Sequence, residues 1–152
     1  MLMSDNVLYT IGFAKKDART FFELLRSANV RKVIDVRLNN VSQLAGFTKK
    51  NDLGYFLDKV LGCEYQHRPD WAPTDSILDP YKKKKTTWDD YVRDFVRLME
   101  SRKVGSDVTA VDLDHVCLLC SEPTPAQCHR RLVAERLHRL YPNLRVIHLG
   151  TV

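Results

Sequence analysis

Apolar residues recur along the chain at two different spacings, one typical of strands and the other typical of helices. Short segments rich in β-branched and aromatic residues predict strands. They are NVLYTIG (6–12), RKVIDVR (31–37), CEYQH (63–67), VCLLC (116–120) and LRVIHL (144–149). Between them, apolar residues return every three or four positions, which predicts amphipathic helices over residues 17–28, 50–61, 88–100 and 127–140.

Strands that alternate with helices predict a parallel sheet covered by helices on its two faces. VCLLC is a continuous apolar run, as expected for a parallel strand buried on both sides. The length of 152 residues fits one domain. The predicted fold class is therefore α/β, a single-domain (1–152) three-layer sandwich with a mostly parallel central sheet of about five strands.

Residues 68–87 interrupt this alternation. The segment contains Pro69, Pro73 and Pro80, followed by the run Lys82 to Lys85. It is predicted to be a long surface loop containing proline and lysine. Long loops in compact domains often act as lids or binding loops, and a solvated insertion is the other interpretation.

Charge and composition narrow the function classes. No apolar run approaches the roughly 18 residues that a membrane helix needs, and the N-terminal MLMSDN lacks the features of a secretory signal. A cytoplasmic protein without membrane contact is expected, with its four cysteines as thiols. The formal net charge of +5 suits an anionic partner, either a phosphorylated small molecule or nucleic acid. No oligomeric state is predicted.

The chemically capable residues fall near the predicted carboxyl ends of the strands. In open parallel sheets, ligands bind at that edge. The residues at these ends are Gly12, Asp35, Arg37, His67, Cys120, Ser121, Glu122 and His148. Gly12, Arg37 and His67 are accordingly candidate ligand-binding residues.

The segment CSEPTPAQCHRR (120–131) is the centre of the candidate site. Its prolines forbid continuation of the strand, and a helix is expected to start near residue 126 or 127. Cys128, His129 and Arg130 then occupy the first helical turn, where free N–H groups favour anions and lower the pKa of a thiol. Cys128 is a candidate thiolate, and Arg130 is a candidate clamp for a ligand anion.

Other roles in this segment have alternatives. Cys120 is a second candidate nucleophile, and Glu122 is either a general acid or base or a partner that holds an arginine. A helical wheel assigns the core face to Leu132, Val133, Leu137 and Leu140. His129 projects along this face, as a catalytic residue or as a core histidine. Arg130 is expected to lie off the core face, and Arg136 is expected to form a structural ion pair with Asp35.

Several common sites are disfavoured. Cys117 and Cys120 have CxxC spacing but lie within a predicted strand, not at a helix start. Paired Cys and His elements of a structural zinc site are lacking, so no metal is predicted. Neither a Walker loop nor GxGxxG occurs, nor does the Cys-x5-Arg loop of cysteine phosphatases, and no cofactor is predicted.

Short motifs spread over the chain carry a resemblance to a family. They are TIG (10–12), DVR (35–37) with Ser42, GF (46–47), Tyr65 with His67, Trp88 with Tyr91, CSE (120–122) and CHR (128–130). In this order they resemble the domain of unknown function 488 family (DUF488), from about residue 8 to residue 140. The resemblance implies the fold and the location of the site, but no reaction.

The chain departs from this family pattern at two places. Phe13 and Ala14 stand where the family usually has His and Ser, and Asn40 stands where a proline is usual. A member without that histidine is expected to bind differently or to lack an activity.

Three functional hypotheses follow. The first is an enzyme with a Cys/His/Arg/Glu site that acts on a phosphorylated ligand, nucleotide or nucleic acid. The second is a non-catalytic module that binds nucleic acid through the same edge and the Lys82–Lys85 run. The third is a thiol-based redox sensor or carrier.

Overall fold

A five-stranded parallel sheet forms the centre of the protein in a computed structural model, which describes residues 5–39, 49–122 and 124–150. The strands are β1 (Asn6–Gly12), β2 (Lys32–Asp35), β3 (Glu64–His67), β4 (Val116–Cys120) and β5 (Leu144–His148). Their order is β3-β2-β4-β1-β5, and all paired neighbours are parallel. The predicted fold class is confirmed.

The helices connect these strands. They are α1 (Ala18–Ser27), α2 (Lys50–Phe56) with a π-helical continuation (Leu57–Leu61), α3 (Asp75–Lys82), α4 (Trp88–Arg102) and α5 (His129–Leu140). Two begin at side-chain caps, because the Asp17 carboxylate accepts from the Thr20 N–H and the Thr87 hydroxyl accepts from the Asp90 N–H. α5 begins later than predicted, with Cys128 as its N-cap residue.

The helices bury two apolar clusters, one on each face of the sheet. Strand β4 contributes to both, since Val116, Leu118 and Cys120 face one cluster and Cys117 and Leu119 face the other. The first cluster includes residues of α4 and α5, such as Phe95, Leu132, Val133 and Leu137. The second includes residues of α1 and α2, such as Phe21, Leu25 and Leu53.

The strand order creates a crevice at the carboxyl end of β4. β4 lies between β1 and β2. The helices that follow β1 and β2 are α1 and α2, and they cover one face of the sheet. The helix that follows β4 is α5, and it covers the other face. Connections that leave neighbouring strands toward opposite faces open a gap at the carboxyl edge, where ligands of α/β proteins bind.

The prediction of a long surface loop over residues 68–87 is wrong. The segment contains a 3₁₀ turn (Pro69–Trp71) and helix α3, and Trp71 is completely buried. Ile77, Leu78 and Tyr81 of α3 pack against the α4–α5 cluster. The prolines misled the prediction because they suggest broken structure, although Pro69 starts its turn and Pro80 lies within α3.

Some residues of the family pattern lie outside the described ranges. These are Asn40, Ser42, Gly46 and Phe47. Pro123 of the 120–131 segment also lies outside them.

Among the helices of the described ranges, none combines the length and apolarity required to cross a membrane.

Replacement of Trp71 tests whether the 68–87 segment belongs to the core. Trp71→Ala removes a completely buried indole and is expected to lower the free energy of unfolding by about 3–5 kcal/mol. Val111→Ala is the control, because Val111 is 71% exposed and its loss is expected to cost less than about 0.5 kcal/mol. Urea denaturation measures both, and equal values would mean that the segment is a dispensable insertion.

Candidate functional site

A cavity of about 420 Å³ opens at the carboxyl ends of β1, β2 and β4. Cys120, Ser121 and Glu122 line it from β4, and His129 lines it from the first turn of α5. The remaining lining residues are Phe13, Arg37, Leu38, Asn39, Leu78, Tyr81, Lys82, Trp88, Tyr91 and Gln127. Its volume falls in the range of small-molecule sites. The cavity therefore lies where the sheet topology leaves the crevice.

Two thiols and an imidazole meet at the floor of this cavity. The Cys120 Sγ lies 2.6 Å from the Cys128 Sγ and 3.7 Å from the His129 Nδ1. All three side chains are buried. Cys120 ends β4 and Cys128 caps α5, so the connection over 121–127 returns the chain to its starting point. All three residues are predicted site residues, but their mutual contact was not predicted.

The backbone fixes the orientation of the His129 ring. Its Nε2 lies 2.6 Å from the Val36 carbonyl oxygen, which can only accept, so Nε2 carries a proton. The Nδ1 atom is then directed at Cys120, where it can take up the thiol proton. Burial lowers the pKa of His129, but the charge of the Cys120 thiolate, the hydrogen bond to it and the hydrogen bond to the Val36 carbonyl together raise it more, and the net pKa is above its ordinary value.

The two thiols have opposite pKa shifts. Burial raises the pKa of Cys120, but the hydrogen bond from Cys128 and the charge of His129 outweigh burial and hold that pKa well below its ordinary value. Burial raises the pKa of Cys128, and the adjacent Cys120 raises it further. This electrostatic pattern favours the thiolate on Cys120, one of the two nucleophiles that were left open, and not on Cys128, which its place at a helix start had made a candidate thiolate.

Cys120, Cys128 and His129 also offer metal-ligand atoms within 4.8 Å of one another, and no other such group was found among the described residues. A tetrahedral zinc ion with Zn–S bonds of about 2.3 Å holds its sulfurs about 3.8 Å apart. The observed sulfur separation of 2.6 Å is more than an ångström shorter. The two sulfurs would therefore have to move apart before they could hold such an ion.

Arg37 lines the cavity from the end of β2 but is held by Asp35. Its Nε and Nη2 donate to the two Asp35 carboxylate oxygens at 2.9 and 2.7 Å, and both residues are buried. The Tyr65 hydroxyl donates to the same carboxylate at 2.6 Å. The expected ion pair between Asp35 and Arg136 is wrong, since the Arg136 Nε donates to the Val104 carbonyl. Asp35 pairs with the arginine two residues along its own strand end.

Arg130 is completely buried, so the expectation that it lies off the core face is wrong. Its Nε donates to the Thr10 hydroxyl at 3.2 Å and its Nη1 donates to the Glu122 carbonyl at 2.7 Å. Its Nη2 is buried without a hydrogen-bond partner. No carboxylate of the described residues forms an ion pair with it. Arg130 therefore places an uncompensated positive charge beneath the site. Leu140, assigned to the same face, is instead 44% exposed.

Gly12 makes room for the connection that follows β4. A Cβ at Gly12 would lie 1.5 Å from the Glu122 carbonyl oxygen and 3.0 Å from the Arg130 Nη1. Gly12 does not line the cavity. Glycine is thus needed at this position because another backbone segment occupies the place of a side chain.

Of the two remaining predicted residues, Glu122 lies at the cavity and His67 does not. The Glu122 side chain is exposed at the cavity, with its backbone carbonyl held by Arg130. The His67 Nε2 donates to the Arg37 carbonyl at 2.7 Å, and His67 lines a separate cleft of about 570 Å³ with Tyr65 and Gly54. His67 is therefore not brought to the Cys120 cavity.

An aromatic wall was missed by the sequence analysis. Tyr81 of α3 lies against Trp88 and Tyr91 of α4, and the Trp88 and Tyr91 rings stack with centroids 4.9 Å apart. Lys82 stands beside them in the lining. Trp88 and Tyr91 had been named only as part of the predicted 88–100 helix and of the family motifs. The sequence does contain a sign of this wall, because the spacing of Ile77, Leu78 and Tyr81 is typical of a helix with one apolar face.

Phe13 also belongs to the lining, and the Arg37 guanidinium lies 5.2 Å from the centre of its ring. This is the position where the family resemblance leads one to expect histidine. The departure from the pattern thus falls inside the cavity.

Comparison with known proteins identifies one relationship. The family model described as "Domain of unknown function DUF488" matches residues 17–137 of the 152, which confirms the resemblance. No curated protein and no solved structure matches.

The role of Gly12 leads to a test of the contact that positions the site. Gly12→Ala is expected to lower the free energy of unfolding by at least about 1–3 kcal/mol, because the new methyl group meets a backbone carbonyl. In the control Gly54→Ala, the new Cβ lies 3.7 Å from the Tyr65 ring within α2, and up to about 1 kcal/mol of stabilisation is expected. Thermal melts compare the two, and equal stability would show that the Glu122 carbonyl does not pack on Gly12.

Proposed function

The chain belongs to the DUF488 family, a domain of unknown function. From the geometry of its site, we propose that it is a cysteine-dependent enzyme that transfers a group from a small phosphorylated ligand to Cys120. The observation that carries the proposal is the contact of the Cys120 thiol with His129 at the floor of the cavity. In thiol enzymes, the nucleophilic thiol lies within hydrogen-bonding reach of a base, and a third group orients that base. Here the third group is the Val36 carbonyl.

The proposed reaction uses each atom of this contact. His129 Nδ1 takes the Cys120 proton, and the thiolate attacks the electrophilic atom of the ligand. As the new bond to Sγ forms, the leaving group departs with its electron pair and takes the proton from Nδ1. Water then breaks the bond to Sγ and releases the thiol. Glu122, exposed at the cavity, is the candidate base for that water.

Arg130 supports the choice of an anionic ligand through its field. It is buried without a described carboxylate partner, directly behind the connection from Cys120 to Cys128. Because a buried charge is little screened by water, it attracts an anion over several ångströms. The N-terminus of α5 adds partial positive charge at the same place. In the proposal, Arg130 attracts the anion without touching it, in place of the clamp expected from the sequence.

Lys82 and the aromatic wall support a phosphorylated ligand with a flat apolar part. Lys82 is an exposed cation of the lining that is not held in an ion pair with a described residue, whereas Arg37 is neutralised by Asp35. Tyr81 and Trp88 offer ring surfaces beside it. Nucleotides combine these two features, and they are the ligand class proposed here.

The nucleophile is tested by the pH dependence of alkylation. In the reduced protein, iodoacetamide is expected to modify Cys120 faster than Cys63 at neutral pH, since burial raises the pKa of Cys63 to about 11 and the pKa of Cys120 is lowered. His129→Gln removes the charge that stabilises the thiolate, so the alkylation curve of Cys120 is expected to move to higher pH. Peptide mass mapping at a series of pH values gives both curves.

His138→Gln is the matched control for this experiment, because His138 lies on the same helix, is exposed, and has its Nδ1 2.7 Å from the Leu144 carbonyl oxygen. It is expected to leave the Cys120 curve in place. Labelling of Cys120 no faster than Cys63 in the wild-type protein, or an unchanged curve in His129→Gln, would refute the nucleophile.

The ligand class is tested by protection from the same reagent. Inorganic phosphate and AMP are expected to slow alkylation of Cys120, with AMP effective at lower concentration. Lys82→Ala is expected to raise the protecting concentration about tenfold, the equivalent of one charge-assisted hydrogen bond of about 1.5 kcal/mol. Lys85→Ala serves as the control from the same lysine run.

Each outcome of the protection experiment separates the hypotheses. Absence of protection by phosphate and AMP would remove the phosphorylated ligand and leave the nucleophile standing. Protection by a single-stranded oligonucleotide at far lower concentration, with strong salt dependence and no turnover, would favour the nucleic-acid module instead.

A further inference from the structure

Cys128 forms no bond to the ligand in the proposed transfer, although its sulfur touches the nucleophile. It lies 2.6 Å from the Cys120 Sγ and is buried behind it, and unlike Cys120 it does not line the cavity. A sulfur–sulfur bond is about 2.05 Å long. The two side chains therefore reach bonding distance by moving less than an ångström.

We propose that Cys128 is a resolving thiol, and that a hydroperoxide entering the cavity converts Cys120 and Cys128 into a reversible disulfide. This inference rests on the proposed function in one respect, because it takes Cys120 as the reactive thiolate of the cavity. It adds a second substrate class and a means of inactivating the site.

The chemistry proceeds in two balanced steps. The Cys120 thiolate attacks the outer peroxide oxygen, so that an S–O bond forms, the O–O bond breaks, and an alkoxide leaves and is protonated to the alcohol. Cys120 is then a sulfenic acid, oxidised by two electrons. The Cys128 sulfur attacks it, the S–S bond forms, the S–O bond breaks, and the oxygen leaves as water with the Cys128 proton. A small dithiol reverses the result by thiol–disulfide exchange.

The fold selects this pair among the four cysteines. Cys117 and Cys120 have CxxC spacing, but they lie three residues apart in the extended strand β4, about 10 Å between Cα atoms. Disulfides need less than about 7 Å. Their side chains also face opposite apolar clusters, and Cys63 belongs to the cluster of Cys117. Only Cys128 is seen in contact with the Cys120 sulfur among the described cysteines.

The disulfide is expected to remove both partners of the proposed mechanism. Sγ of Cys120 becomes neutral and bonded, so it no longer attacks a ligand. His129 then loses the adjacent negative charge that raises its pKa. Burial remains, so the ring is expected to stay neutral to lower pH in the oxidised protein.

The experiment treats the reduced full chain with equimolar hydrogen peroxide and follows intact mass and iodoacetamide labelling. The wild-type protein is expected to lose two hydrogens, to show a Cys120–Cys128 cross-link in peptide maps, and to resist labelling at Cys120 until dithiothreitol is added. Cys128→Ser is expected to gain one oxygen instead and to react with dimedone at Cys120. Cys63→Ser is the control and is expected to behave as the wild type.

Several results would overturn the proposal. They are a cross-link that excludes Cys128, loss of two hydrogens in Cys128→Ser, and accumulation of sulfinic acid at Cys120 without a disulfide in the wild type. Tight stoichiometric zinc that shields both thiols from peroxide would overturn it as well, in favour of a metal site. Rapid alkylation of Cys120 in the untreated reduced protein separates these failures from failure of the nucleophile itself.

Discussion

The close contact between the end of β1 and the connection after β4 determines the geometry of the site. The Glu122 carbonyl lies on Gly12, in the space that any other residue would fill, and Arg130 donates to the same carbonyl from the helix that follows. One backbone oxygen is thus held from two sides. The connection can only return toward β4, and its return brings Cys128 against Cys120. This contact thus helps to hold Cys120, at the end of β4, against Cys128 and His129, at the start of α5.

Much of the fold was predictable because local pattern and tertiary context agree. β4 is apolar throughout and is the central strand, and β1 ends at the glycine where the pattern predicted it. The 68–87 segment failed because its prolines are strong local signals, whereas the burial of Trp71 depends on contacts with distant elements. The start of α5 was misplaced for a similar reason. Residues 126 and 127 have no feature that excludes a helix, and the cap at Cys128 is fixed by its neighbours in space.

The edge of the sheet at which the candidate side chains lie was predictable, and their contacts were not. Parallel strands guarantee that their carboxyl ends share an edge, so Cys120, Arg37 and His129 were expected to lie near one another. Which arginine is neutralised depends on side-chain partners. Asp35 takes Arg37, and Arg130 stays buried without a described carboxylate. A helical wheel shows only the faces of α5 itself. It does not show that the Arg130 side chain, in the first turn, reaches Thr10 of the neighbouring strand β1.

The two outer strands of the sheet bear on how this chain behaves at high concentration. Among the described residues, β3 and β5 each pair on one side only, and an unpaired strand edge is a template on which further chains can add. Both strands are short, and each carries an exposed charged residue, Glu64 in β3 and Arg145 in β5. Charges at such positions oppose the addition of a further strand to the edge, because the added strand would dehydrate them. The sheet that holds a close pair of thiols at one end therefore carries, on each outer strand, a charge that disfavours fibrous self-association.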